Sequence, residues 1–262
     1  MNVYMMVDAE GCSGVFDSTQ VIEEQPRYAY GRQCMTNDVN TCVEACKAAG
    51  VNKIFVRDCH YRGRNLIWEE LSPKADYYIC GDTGNERCPA LDECDCVMLV
   101  GYHAMAGSSA AILEHTMSSE YVQNYYLNGI CAGELAIDAG IAGDHGKPVV
   151  FVSGDSAVCA EAQALLPWVT TAEVKKGLTI EGGLLLPPAR AYELLAVKTR
   201  KAIANFSNAE IYTVEKPVRL RVETCERSKL PYHRVKPYMR IINARTFEVT
   251  GATVEEALFR SF

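Results

Sequence analysis

Val3-Tyr4-Met5-Met6-Val7-Asp8-Ala9-Glu10-Gly11 is the stretch whose reading decides the fold class of this chain. From Val3 to Val7 no position is set aside for water, the mark of a strand inside a parallel sheet covered on both faces. The run stops not at a turn former but at two acids spaced i, i+2. In an extended segment that spacing turns both side chains to one face, so Asp8 and Glu10 would stand side by side, roughly 7 Å apart by strand rise. Carboxylates held there repel each other, and a positive group belongs between them.

The same texture recurs downstream. Strands are expected over 53–56, 77–80, 96–100 and 148–152, alternating with helices over 35–49, 66–71, 132–142 and 156–166. That alternation predicts an α/β fold: a mostly parallel sheet with helices on both faces. From Pro187 onward the pattern changes to a long helix over 189–205, strands with polar alternation over 218–223, 239–243 and 246–249, and a last helix over 254–260. The expected organisation is an α/β domain at 1–186 and a smaller α+β lobe at 187–262.

Composition narrows the function classes. With 262 residues, 48% hydrophobic and 23% charged, the chain has the makeup of an ordinary globular protein. A net charge of −7 without a lysine–arginine cluster argues against nucleic acid or an anionic membrane as partner. No apolar stretch approaches the roughly 20 residues that cross a bilayer. The first strand begins at once, without a basic segment or cleavage site ahead of it, which points to the cytoplasm. The twelve cysteines suit neither a short secreted disulfide scaffold nor, lacking paired CxxC motifs, a zinc ribbon. Most are expected to pack as small hydrophobes, Cys80, Cys94, Cys96 and Cys131 among them.

Three strand ends are alike. Val7 leads to Asp8 and Glu10, Val56 leads through Arg57 to Asp58-Cys59-His60, and Val100 leads to Gly101-Tyr102-His103. Ligands bind open α/β sheets at the carboxyl ends of the strands, so these side chains are expected to converge on one rim. A single histidine is more often a satisfied core residue. Two at equivalent strand ends, beside an Asp-x-Glu pair, make the donor mix of zinc or a similar dication. Glu134 opens an apolar helix; alone it would be a first-turn acid facing the helix dipole. As a ligand it brings the set to five, more than the three protein ligands of one catalytic zinc. Five suit two ions about 3.5–4 Å apart that share a carboxylate. Asp58 is placed either to fix the tautomer of His60 or to cap the next turn, and Asp155 to cap the helix after it. Cys12 and Cys59 lie near the site in sequence, but thiolates are not needed to fill it, and His145 and His233 have no expected role.

Taken in order, Val7-Asp8-Ala9-Glu10-Gly11, Asp58-Cys59-His60, Gly101-Tyr102-His103-Ala104, Glu114-His115-Thr116 and Gly133-Glu134-Leu135 resemble the M55 family of D-aminopeptidases. The likeness runs the length of the chain and extends to Met35-Thr36, Asn65-Leu66, Ser153-Gly154-Asp155 and Val169-Thr170-Thr171-Ala172. It implies a dinuclear zinc site, two ions per chain: Asp8 would bridge both, Glu10 and His103 would complete one, and His60 and Glu134 the other. It also implies a catalytic role for His115, chemically apt because a non-ligating imidazole beside two metals can transfer protons near neutral pH. The substrates implied are short peptides or amides with an N-terminal D-residue such as D-alanine, and the implied assembly is a homo-oligomeric ring, a decamer being one such form. Two other readings use the same residues. A dimetal amidohydrolase or phosphoesterase of another substrate class would need phosphate clamps, for which only Arg57, Arg62 and Arg64 lie nearby. A non-catalytic metal-stabilised scaffold would have no reason to gather its donors at one rim.

Overall fold

The computed structural model describes residues 1–262, the side chain of Arg234 apart. The run that opens the chain lies at its centre. Strand β1 (Asn2–Val7) packs Val3, Met5 and Val7 into one core and Tyr4 and Met6 into another. It pairs in parallel with β2 (Lys53–Asp58) on one side and β4 (Cys96–Tyr102) on the other. Beyond β2 lies β3 (Tyr77–Ile79); beyond β4 lie β7 (Val149–Asp155) and β8 (Thr170–Thr179), all parallel. Only β9 (Gly182–Leu185), hairpinned onto β8, runs antiparallel, and the order is β3-β2-β1-β4-β7-β8-β9.

Helices cover both faces, because parallel strands apolar on both sides must be buried on both. On the face of Val3, Met5 and Val7, α1 (Tyr28–Ala48) packs against α4 (Pro188–Ala204). On the face of Tyr4 and Met6 lie α2 (Glu134–Asp144) and α3 (Ser156–Leu165). A second, antiparallel sheet shares that core. It is built from β5 (Val122–Leu127), β6 (Ile130–Ala132), β10 (Val218–Thr224), β11 (Met239–Asn243) and β12 (Thr246–Gly251), ordered β11-β12-β10-β5-β6, with α5 (Val254–Arg260) packed on it. The expected α/β class, with a mostly parallel sheet between helices, is the one found. Two pairings cross residue 187: β5 and β6 enter the second sheet, and α4 covers the first. Among the described residues no helix is long and apolar enough to cross a membrane.

Departures from the sequence reading have local causes. Helix α1 begins at Tyr28, not at 35, with Gly31 inside it, because that glycine is where the chain at Gln20 crosses; a Cβ there would lie 1.8 Å from the Gln20 carbonyl oxygen. Residues 66–71 form no α-helix, only a short 3-10 turn at Trp68–Glu70. Side chains of Asp58 and Thr36 take the N–H groups of Leu66 and Ile67, Ile67 is extended (ψ 101°) and Leu71 is extended again (ψ 139°), which leaves room for one turn only. Strands β5 and β8 carry too many polar residues to stand out, and β6 and β9 are too short; all four form because a neighbouring strand offers them a ladder. All twelve cysteines are free, and eight are buried, but Cys80 and Cys131 are exposed, contrary to the packing role expected of them.

Gly101 ties β4 to the end of β1. Its φ is +70°, and a Cβ would come within 2.4 Å of both the Asp8 carbonyl oxygen and Cys12 Sγ. Strain and overpacking together should make Gly101→Ala less stable by about 2–4 kcal/mol. A denaturant melt of the metal-free protein reads this directly, and an unchanged midpoint would show that the strand ends can part at no cost.

Candidate metal centre

The rim expected from the sequence exists. Asp8 follows β1 and donates its N–H to Val100 (2.9 Å), while Gly11 donates to Gly101 (2.8 Å), so the β1 exit is stitched to the exit of β4. His60 follows β2, His103 follows β4, and Glu134 is the first residue of α2. His115 comes from the long connection between β4 and β5. The five proposed donors are nearly fully buried, and His115 is the more open, its side chain 18% exposed.

Asp8 stands between the others. Its Oδ1 lies 3.1 Å from His60 Nδ1 and its Oδ2 lies 3.3 Å from His103 Nε2. Glu10 Oε2 is 3.1 Å from His60 Nδ1, and Glu134 Oε1 is 3.3 Å from His103 Nε2. The donor atoms of Asp8, Glu10 and His103 all fall within 4.8 Å of one another, as do those of His103, His115 and Glu134. The His115 ring stacks on that of His103, centroids 4.1 Å apart and 8° from parallel, with Nε2 3.7 Å from Glu134 Oε1.

Backbone carbonyls settle which nitrogen of each ring is free. His60 Nε2 lies 2.8 Å from the Val21 carbonyl, His103 Nδ1 3.1 Å from that of Ala104, and His115 Nδ1 2.9 Å from that of Leu113. A ring N–H donated to each carbonyl leaves the opposite nitrogen with its lone pair aimed into the cluster, as a metal ligand or a base requires. Two buried atoms, His103 Nε2 and Glu10 Oε2, have no aligned hydrogen-bond partner among the described residues. Leaving such atoms unpaired is costly unless something binds them.

The electrostatics point the same way. Burial pushes Asp8 up, but the imidazoles of His103 and His60 prevail and hold it well below the usual carboxylate range. Burial also raises Glu134, and His103 more than reverses it, to about 2. Burial lowers His60 and His103; Glu10 and Asp8 around the first, and Asp8 and Glu134 around the second, lift both well above the usual histidine range. The pocket therefore retains positive charge strongly, and a dication would take the place of those protons.

The supporting residues divide. Asp58 takes the N–H groups of Asn65 (2.6 Å) and Leu66 (3.2 Å), so it staples the loop after His60 and does not touch that ring's nitrogens. Asp155 caps α3 through Ala157 and Val158, and its other oxygen accepts from Ile112, in the segment leading to His115. Cys12 bonds the Asp8 carbonyl, and neither it nor Cys59 joins the donor groups. Arg87 went unread in the sequence: its guanidinium forks onto Asp138 (2.5 and 2.9 Å) and reaches Glu134 Oε2 at 3.5 Å. Tyr102 donates to the same Asp138 carboxylate at 2.7 Å. The irregular stretch Asn85-Glu86-Arg87-Cys88 carries no signal for it; the i, i+4 acids Glu134 and Asp138 on one helix face are the only hint.

A family model described as D-aminopeptidase matches residues 1–261. The chain belongs to the M55 family of D-aminopeptidases. It is 37% identical over 207 residues to the D-aminopeptidase of Bacillus subtilis (strain 168), an alignment covering 78% of this chain and 74% of that protein. Among solved structures it superposes on one described as Zn-dependent D-aminopeptidase DppA from Bacillus subtilis, a self-compartmentalizing protease. That match has a TM-score of 0.94 and 31% identity, over 100% of this chain and 95% of the other. Family membership accounts for the order of the motifs along the sequence, and the superposition extends the likeness to the second sheet.

Proposed function

We propose that this protein is a zinc-dependent D-aminopeptidase, releasing N-terminal D-residues from short peptides or amides. The observation that carries the reading is buried Asp8 turning one oxygen to His60 and the other to His103, with Glu10 and Glu134 beside them. That is the donor arrangement of two ions sharing a carboxylate. In this reading Asp8 would hold both ions, Glu10 and His103 would hold one of them, and His60 and Glu134 the other. Glu10 Oε2 and His103 Nε2, which have no aligned hydrogen-bond partner, would both be taken up by the first of these ions.

Bound there, zinc supplies Lewis acidity toward the scissile carbonyl and activation of water. The chain's own residues do the rest. Asp8, Glu10 and Glu134 make the pocket attractive to an N-terminal amine. His115, its Nε2 turned toward Glu134, is placed to take a proton from the attacking water and return it to the leaving amine. Arg87 holds Glu134 from behind, so its other oxygen stays on the cluster.

The same reading takes the chain to act in the cytoplasm, where twelve unpaired cysteines are at home, and as a homo-oligomer. Exposed Leu178, Ile180 and Leu184 around the β8–β9 hairpin, and Ile211, Val235 and Ile242 in the lobe at 187–262, offer apolar surface for contact between copies. The deciding experiment loads the purified protein with zinc and screens D- and L-alanyl amides, dipeptides and phosphoesters. Zinc-dependent release of D-alanine is expected. Turnover confined to L-substrates or phosphoesters would defeat the reading.

A further inference from the structure

Lys175 is the one lysine among the largest fully buried side chains, 2% exposed, on β8. The pairing of β7 with β8 slips between Gly154 and Asp155, and beside that irregularity Val174 and Lys175 are both buried, where strict alternation would bury only one. Such slips commonly re-aim a side chain near a site. The ammonium donates to three carbonyls: Glu10 at 2.5 Å, Cys12 at 3.0 Å and Val15 at 2.6 Å. An ammonium has three protons, so its donors are used up. All three acceptors lie on one short segment, the one that carries Glu10.

Nothing in packing favours a lysine here. Burial pushes its pKa down to about 8 although Asp155, Asp38 and Glu10 nearby act to raise it, so a cation here is an expensive choice. The same segment has a second anchor. Asp38, buried on α1, accepts the N–H of Ser13 (2.7 Å) and its hydroxyl (2.5 Å). Glu10 has no such anchor outside the cluster: its Oε2 meets His60 Nδ1 (3.1 Å), itself a candidate ligand, so the backbone beneath it sets its direction.

We infer that Lys175, assisted by Asp38, is a positioning residue that holds the 10–15 segment so that the Glu10 carboxylate meets its metal ion. The inference rests on Glu10 being a ligand, as proposed above, and adds a residue 165 positions away in sequence that decides how well it binds.

The test measures zinc stoichiometry and affinity of the full chain by chelator competition, with cobalt-loaded spectra as a second readout. Lys175→Met should leave one ion bound as in the wild type and weaken the other about 10–100-fold, the usual effect of losing a group that orients a ligand. The cobalt spectrum should lose the contribution of one site only. Glu10→Gln serves as reference and should weaken the same ion. Weakening by Glu10→Gln but not by Lys175→Met overturns the inference while leaving the metal reading intact. Two tight ions retained in Glu10→Gln would remove the ligand role itself, and the inference with it. Should Lys175→Met fail to fold, Asp38→Asn takes its place in the same assay: a weakened ion supports the clamp, and unchanged affinity for both ions overturns it.

Discussion

Replacing Asp8 with alanine should take zinc content from two ions per chain to none. Asp8 is the only carboxylate whose two oxygens face different histidines, so its loss deprives both ions of a donor at once. It also leaves His60 and His103 facing fewer negative charges, which removes part of what draws a cation in. Activity should fall with the metal. The ions supply several kcal/mol of transition-state stabilisation, so a loss of at least about 10³-fold is expected at 1.36 kcal/mol per factor of ten. Metal analysis after dialysis against a zinc-buffered solution, with a rate on D-alanyl amide, reads both effects. One ion retained would move the bridge to Glu10 or Glu134.

His115→Ala should do the opposite on the metal side: two ions kept, and a rate lowered by about 10²–10⁴-fold if the imidazole carries the proton. Its Nε2 is 3.7 Å from Glu134 and its ring lies flat against His103, within reach of the water and the leaving amine in the proposed reaction. The wild-type pH–rate profile should contain a limb that the variant lacks. Zinc lost together with activity would make His115 a ligand, an outcome its grouping with His103 and Glu134 keeps chemically reasonable. Full activity with both ions present would leave it a loop histidine.

These two residues mark how differently parts of the site could be read. Asp8, Glu10, His60 and His103 were legible because each ends a strand, and residues just past parallel strands of one sheet meet at one rim whatever the packing details. Glu134 and His115 were not legible by that rule. One opens a helix, where a first-turn acid is the plainer reading, and the other sits in a loop; the family resemblance carried the role of His115 and the weight given to Glu134. Cys80 and Cys131 show the converse error, since an apolar neighbourhood in sequence did not make a buried position.

The sequence by itself determined the class of fold and the chemistry of the donors, because hydrophobic runs and the residues that end them are local properties. It did not reveal what aims those donors. Val21 and Ala104 offer carbonyls that choose the free nitrogens of His60 and His103, Arg87 braces Glu134 across a helix turn, and Lys175 reaches the Glu10 segment from a strand that polar content had concealed. Each is a contact between segments that a pattern of neighbours cannot relate. Only the packed core, by bringing β8, α2 and the loops after β2 and β4 against the end of β1, decided which buried polar atoms were satisfied and which were left facing the place of a metal ion.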